Sequence, residues 1–376
     1  MKFFNPVKII MSSGASSDLF CSSRDLNLLI FCSKRMLKEL ENNSDFLDLL
    51  KLNNVIFEHS FTTNPSLSEM IKITEKLFRK KFDAIWGIGG GSTMDVAKIA
   101  SVSIPSLRKN FSLEQILDNK NLLKNISPIN TVQIPTTAGT GSEVTPFATI
   151  WDYNLQIKRS LSHESLYSKK AIIDSNFLNK VPEEILLSTG LDALNQALES
   201  IWNKNANEIT KSIAINSIVA SFKGLNKLSN ISQNKKISDD LALASLLSGL
   251  CISQTRTALC HSISYPLTLK FNVPHGIACA FSMLEVLKFN AEKIKKDIKI
   301  IENRIDGGSL QSAIINLFEK YNFYERIRIY LSSSKDVLDL LPEMVSSERS
   351  GNNIKTFSND DVKGIIYRSC QNASIS

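Results

Sequence analysis

The stretch Asp83-Ala-Ile-Trp-Gly-Ile-Gly-Gly-Gly-Ser-Thr-Met-Asp95 decides how the rest of the chain is read. Ala84 to Ile88 is a short apolar run, which predicts a buried strand. It breaks into Gly89-Gly90-Gly91, and Ser92 then stands where a helix N-cap is expected. Consecutive glycines let backbone amides close on an anion, and a helix start adds its dipole. A phosphate cradle is one reading and a plain tight turn is the other. The spacing is neither the dinucleotide G-x-G-x-x-G nor a Walker loop, because no Gly-Lys-Ser/Thr follows.

Around this stretch, apolar runs alternate with helical patterns. Strands are predicted at Lys8–Met11, Leu26–Cys32, Val55–Phe57, Ala84–Ile88, Thr131–Ile134 and Ala171–Ile173. Helical periodicity marks Lys34–Glu41, Leu67–Lys80 and Thr93–Ser101. Such alternation argues for a parallel sheet covered by helices, with ligands beyond the carboxyl ends of its strands. From Val181-Pro182-Glu183-Glu184 the texture changes to amphipathic helices at Ile185–Trp202, Ile209–Leu225, Asp239–Leu259 and His275–Asn290. Residues 345–358 read as a loop before a short last helix. The expected organisation is an α/β domain over 1–180 and a helical domain over 181–376.

Composition agrees with a soluble globular protein. A length of 376 residues gives about two domains. A hydrophobic share of 43% and a charged share of 22% are ordinary. The net charge of +7 is spread without a Lys/Arg block, so no nucleic-acid partner is expected, and a mild preference for anionic small molecules fits that charge equally well. Met1–Pro6 lacks a signal-peptide core and no run of about 18 apolar residues suggests a membrane span. Six scattered cysteines without C-x-x-C spacing read as reduced thiols, and the cytoplasm is the expected location.

A second loop, Pro135-Thr-Thr-Ala-Gly-Thr-Gly-Ser-Glu-Val-Thr145, follows the Thr131 strand. Its hydroxyls suit phosphate oxygens or a carboxamide, or alternatively bond their own backbone. In the helical half, Asp192 and Gln196 share a helix face, and His261 and His275 stand fourteen residues apart, with Pro266 and Pro274 interrupting any single helix. An acid and two imidazoles suit a divalent transition metal, although a buried histidine is more often structural.

Taken together, Gly89-Gly-Gly-Ser92 with Asp95 and Lys98, Ile134-Pro-Thr-Thr-Ala-Gly-Thr-Gly-Ser-Glu-Val144, His261, and Pro274-His-Gly276 resemble the iron-containing (group III) alcohol dehydrogenases. The resemblance runs in order over nearly the whole chain, including Asn64-Pro65 and Asp174. It implies a dehydroquinate synthase-like fold, with a Rossmann-like dinucleotide-binding domain followed by an all-α domain. It also implies NADPH or NADH as cofactor, one divalent metal (Fe2+, Zn2+ or Mn2+), and a small aldehyde or alcohol substrate. A homodimer is expected. Carried over by residue, Gly89, Gly90, Gly91 and Ser92 would hold the pyrophosphate, Asp95 would be a further cofactor-binding residue, and Thr136, Thr137 and Thr140 would line the cofactor cleft. Asp192, His261 and His275 match three metal ligands. The fourth is usually a histidine, and this chain has Gln196 there. Tyr265 replaces a second frequent histidine; relaying a proton and packing beside Pro266 both stand open for it.

Ile252-Ser-Gln-Thr-Arg-Thr257 and His261-Ser-Ile-Ser-Tyr-Pro-Leu267 look most like the phosphonoacetaldehyde reductases within that family. Arg256, with Lys158 and Arg159, would then bind an anionic aldehyde, the alternative being a surface arginine at a helix end. Ser33-Lys34-Arg35 follows a strand where many dehydrogenases place a ribose-binding acid, so NADPH is expected to serve at least as well as NADH. The competing readings are a general short-chain alcohol or diol dehydrogenase, a glycerol-dehydrogenase-like or sugar-phosphate cyclase enzyme on the same scaffold, and a member that binds dinucleotide without turnover.

Overall fold

A computed structural model describes residues 1–155, 157–345 and 349–376. The chain forms two compact units. One comprises Asn5–Thr137 with Ser142–Asn179; the other comprises Met1–Phe4, Ala138–Gly141 and Lys180–Ser376.

The first unit is built on a six-stranded sheet of β1 (Lys8–Met11), β2 (Asn27–Phe31), β3 (Asn54–Glu58), β4 (Ala84–Gly89), β5 (Asn130–Pro135) and β8 (Lys170–Ile173). The order is β1-β8-β5-β4-β2-β3 and every pairing is parallel. Parallel strands carry helices on both faces, so their sequences are apolar without alternation. β2 makes this concrete. Leu29 and Phe31 pack with Met70, Ile73, Val96 and Ile99 on one face. Leu28, Ile30 and Cys32 pack with Leu19, Phe20, Phe46 and Leu49 on the other. The helices that supply these side chains are Leu67–Leu77 and Gly91–Arg108 on the first face, and Ala15–Ser22 and Ser44–Leu52 on the second.

β4 and β5 are neighbours in register, Ile88 against Ile134 and Gly89 against Pro135. Their carboxyl ends therefore release the glycine stretch and the threonine loop side by side, and the Thr136 amide donates to the Gly89 carbonyl at 3.0 Å. An antiparallel pair, β6 (Phe147–Asp152) with β7 (Ile157–Ser162), lies outside the main sheet. The sequence reading did not include this pair, nor the helices Ala15–Ser22 and Ser44–Leu52.

The second unit is helical. Glu183–Ile201, Glu208–Leu225 and Lys235–Thr255 are its long helices, followed by Leu259–Phe271, His275–Phe281 and Met283–Asn290, and Asn359–Asn372 closes the chain. Asn207 caps the second with a reciprocal Thr210 bond, which fixes where it starts. The expected helix Asp239–Leu259 is two helices. Arg256 takes φ +64 and ends the first, and the next begins at Leu259. Likewise His275–Asn290 breaks at Ser282. Pro274 marks a boundary as expected, whereas Pro266 sits inside Leu259–Phe271, where a proline costs one backbone hydrogen bond and crowds the preceding turn without ending the helix. Among the described residues no helix is long and apolar enough to cross a membrane.

Candidate active site

The sheet unit carries the glycine cradle. The helix begins at Gly91 with Gly90 as its N-cap, so Ser92 lies in the first turn rather than at the cap. The Ser92 hydroxyl donates to the Thr63 carbonyl. Three consecutive residues without side chains thus bring the strand end onto an open helix N-terminus, an arrangement suited to a pyrophosphate. A Cβ on Gly90 would stand 3.2 Å from the Thr137 hydroxyl, so Thr137 lines the cradle. Asp95 sits one turn inside the helix. Its carboxylate accepts from the Ser142 hydroxyl at 2.6 Å and from the Thr149 amide at 2.8 Å. Lys98, fully buried, donates to the carbonyls of Ser142 (2.8 Å) and Phe147 (2.6 Å) and lies 3.5 Å from Asp95. These two side chains tie the glycine helix to the loop after Gly141. Beside Lys98, burial raises the Glu143 carboxyl to about 7.

Ser33 caps the helix Lys34–Leu40 by accepting from the Met36 amide at 3.1 Å, and Lys34 and Arg35 are exposed. Lys158 lies on β7, with its ammonium 5.6 Å from the centre of the Trp151 ring. Thr140 belongs to the short segment Ala138–Gly141 of the helical unit.

The helical unit holds the metal-competent cluster. The helix Glu183–Ile201 presents Asp192, Asn195, Gln196 and Glu199 at i, i+3, i+4 and i+7, all buried on one face. A buried polar stripe of this kind demands partners. His261 supplies them. Its Nε2 is 3.2 Å from Asp192 Oδ1, and its Nδ1 is 2.8 Å from Glu199 Oε2. Glu199 also accepts from the amides of Ala258 at 2.7 Å and His261 at 3.1 Å, so it caps the helix Leu259–Phe271 from outside. A carboxylate taking the Nδ1 proton leaves Nε2 bare for a cation.

His275 opens the next helix, its ring centroid 5.5 Å from that of His261. The approach depends on the following residue, since a Cβ on Gly276 would stand 1.7 Å from the Ser188 carbonyl oxygen. One turn further, Cys279 Sγ lies 3.7 Å from His275 Nε2. Each of Asp192, His261, His275 and Cys279 offers a ligand atom, and all these atoms lie within 4.8 Å of one another. Gln196, expected among the ligands, lies one turn beyond Asp192. Its amide oxygen accepts from the Ser248 hydroxyl at 3.0 Å, and its side chain also hydrogen-bonds Asp192.

The electrostatics call for a cation. Burial disfavours a charged imidazole at His261, but Cys279, Glu199 and Asp192 hold its pKa well above the ordinary value. Burial raises Asp192, but His261, His275 and Gln196 bring it below the usual carboxylate range. Burial likewise raises the Cys279 thiol, which the two imidazoles lower to about 7. Anionic oxygen and sulfur converge with two imidazoles here, so the residues present fit a divalent transition metal.

Beside the cluster, the Tyr265 ring stacks on His275 at 5.7 Å and 8°. Arg349 donates to the Tyr265 hydroxyl, its guanidinium 4.7 Å from that ring centre. Burial and then the Arg256 guanidinium lower Arg349 to about 10, so the two arginines are near neighbours. Arg256 is exposed, and its strained backbone is pinned by the Asn203 amide donating to its carbonyl at 3.2 Å. Sequence reasoning passed over Glu199, Cys279 and Arg349. The first two had a signal, lying two turns after Asp192 and one turn after His275. Arg349 had none, because its neighbours are distant in sequence.

The chain matches two family models, the iron-containing alcohol dehydrogenase model over residues 6–175 and its C-terminal counterpart over residues 186–370. It is 27% identical over 318 residues to an NADPH-dependent butanol dehydrogenase of Clostridium saccharobutylicum, covering 81% of this chain and 80% of that enzyme. It is 30% identical over 226 residues to the probable alcohol dehydrogenase EutG of Escherichia coli, covering 60% of this chain and 56% of that one. Among solved structures, an iron-containing alcohol dehydrogenase of Thermotoga maritima is 25% identical with a TM-score of 0.83, covering 98% of this chain and 99% of that one. This chain therefore belongs to the iron-containing alcohol dehydrogenases, NAD(P)-linked oxidoreductases that use a divalent metal.

Proposed function

We propose that this enzyme reduces a short aldehyde bearing a phosphonate or similar anion, with phosphonoacetaldehyde converted to 2-hydroxyethylphosphonate as the best fit. The observation that carries the reading is the arginine pair. Arg349 stands over Tyr265, which stacks on the metal-site residue His275, and Arg256 is near enough to repel it. Two guanidiniums close enough to repel are mutually unfavourable until a dianion joins them, and their planar forks match its oxygens.

In the reaction the carbonyl carbon gains a hydride and its oxygen gains a proton. NAD(P)H supplies the hydride, and the divalent metal supplies Lewis acidity toward the carbonyl. The chain's own residues do the rest. Glu199 keeps the His261 proton on Nδ1, and with it the orientation of the ring. Gly276 lets the His275 helix approach Asp192. Tyr265, its ring on His275 and its hydroxyl against Arg349, is the chain's candidate for relay of the alcohol proton. The arginines fix the far end of the substrate, which limits the angles its carbonyl can take.

The test compares phosphonoacetaldehyde with uncharged propanal in wild type, Arg349→Ala and Arg256→Ala. A charge-assisted hydrogen bond contributes about 1.5–3 kcal/mol, so each substitution should lower kcat/KM for the anion by about one to two powers of ten. Propanal reduction should change little. Equal losses on both substrates, or a wild-type preference for propanal, would remove the anionic assignment and leave a general short-chain alcohol dehydrogenase.

A further inference from the structure

We infer that Cys279 is the fourth protein ligand of the divalent ion, and that Gln196 acts on that ion only through Asp192. The inference rests on reading the cluster as a metal site and concerns which side chains complete it.

Gln196 stands where the family pattern has a histidine, yet its amide already has protein partners. Its oxygen accepts from Ser248 at 3.0 Å, and it hydrogen-bonds Asp192. The Ser248 hydroxyl occupies one of the two lone pairs of that oxygen and, with the bond to Asp192, fixes how the amide is oriented. Cys279 is differently placed. His275 and Cys279 stand at i and i+4 of one short helix and so share a face. Tetrahedral bonds of roughly 2.1 Å to nitrogen and 2.3 Å to sulfur separate those two atoms by roughly 3.6 Å. The separation of Cys279 Sγ from His275 Nε2 is 3.7 Å. The same geometry with bonds of roughly 2.1 Å puts nitrogen and carboxylate oxygen roughly 3.4 Å apart. His261 Nε2 and Asp192 Oδ1 are 3.2 Å apart. The set is thus spaced as ligands around one small ion.

Charge follows from the donors. An aspartate with three neutral histidines leaves a divalent ion with one net positive charge. An aspartate, a thiolate and two histidines neutralise it. Thiolate also shifts preference toward borderline-soft ions, so zinc suits this site better than the oxygen-loving metals. His275 is the half-buried member of the four, which leaves its side of the ion accessible to a substrate oxygen.

The experiment strips the full-length protein of metal and reloads it with Co(II) alone, needing no turnover. Wild type should show thiolate-to-cobalt charge-transfer absorption in the near ultraviolet. Cys279→Ser and Cys279→Ala should lose it, and Gln196→Ala should keep it. In chelator competition with Zn(II), Cys279→Ala should lose more than about 100-fold in affinity, beyond the 10–100-fold that partners outside the ligand set cost, and Gln196→Ala should fall within that range. Two substitutions at Cys279 guard against serine oxygen replacing sulfur. Cobalt bound by wild type without the band, or a band that survives Cys279→Ala, would overturn the assignment of Cys279. Failure of wild type to bind cobalt or zinc at all would overturn the metal reading itself.

Discussion

Glu199→Gln is the smallest change that tests how the metal site is held. The two side chains have nearly the same shape, but the carboxylate accepts three hydrogen bonds here and donates none. Oε2 takes the Ala258 amide at 2.7 Å and His261 Nδ1 at 2.8 Å, and Oε1 takes the His261 amide at 3.1 Å. Glutamine has one acceptor oxygen, so its amide nitrogen must face at least one of these donors. If the nitrogen faces Nδ1, the imidazole proton moves to Nε2, where it points at Asp192 and blocks the ion. If the nitrogen faces the His261 amide, the start of the helix Leu259–Phe271 loses a cap. Loss of an outer partner costs about 10–100-fold in metal affinity, and an orphaned buried donor costs about 1–3 kcal/mol of stability. The assay pairs chelator competition for Zn(II) with urea unfolding of the metal-free protein. Both should fall together, with the affinity loss exceeding what the lost stability alone explains. Unchanged metal affinity in a folded variant would refute the claim that Glu199 sets the His261 tautomer.

Glu143 predicts a pH effect on stability. Its folded pKa of about 7 stands above the ordinary glutamate value of 4.5, so between those pH values the folded chain holds a proton that the unfolded chain has released. Its contribution is therefore intact below the unfolded value and is lost as pH rises toward 7, by about 3 kcal/mol in all. Glu143→Gln should flatten that slope and stabilise the protein at pH 8; urea midpoints at pH 5 and 8 measure it, and identical slopes in both proteins would contradict it. Gly276→Ala should push the His275 helix away from the Ser188 carbonyl, lowering stability by about 1–3 kcal/mol and weakening Zn(II) binding. Retention of wild-type binding and melting temperature would show that the close approach is not required.

The parallel strands were legible because burial on both faces leaves an uninterrupted apolar run, and all six reach within a residue of their expected limits. β6 and β7 were not. Ile157-Lys-Arg-Ser-Leu-Ser162 carries two charges and two hydroxyls, so its strand is set by pairing across the hairpin rather than by its own composition. The break at Arg256 escaped for a related reason. No glycine or proline marks it, and the residues that hold its backbone, such as Asn203, lie far away in sequence. The aspartate and two histidines of the metal cluster were readable through motif resemblance. Cys279 looked like one more reduced thiol, because a single i,i+4 pair acquires meaning only when other helices bring Asp192 and His261 to it. The cap falls two residues before Ser92, at Gly90, which has no side chain to cap with and so carries no capping signal in the sequence.

The threonine loop has a consequence for dissecting the molecule genetically. Ala138–Gly141 belongs to the helical unit although Thr137 and Ser142 on either side belong to the sheet unit, and Met1–Phe4 is also part of the helical unit. Gly141 makes this possible by taking φ +58 where a Cβ would stand 2.3 Å from the Gly249 Cα. The chain thus passes between its units at four places, after Phe4, Thr137, Gly141 and Asn179. A single cut at the last of these does not yield two self-sufficient fragments. The sheet fragment would carry a four-residue loop with no helices to receive it, and the helical fragment would lack that loop and its first four residues. Protease nicking near Lys180 should therefore leave the halves associated, and swapping one half for a relative's must take the loop from the same donor as the helices.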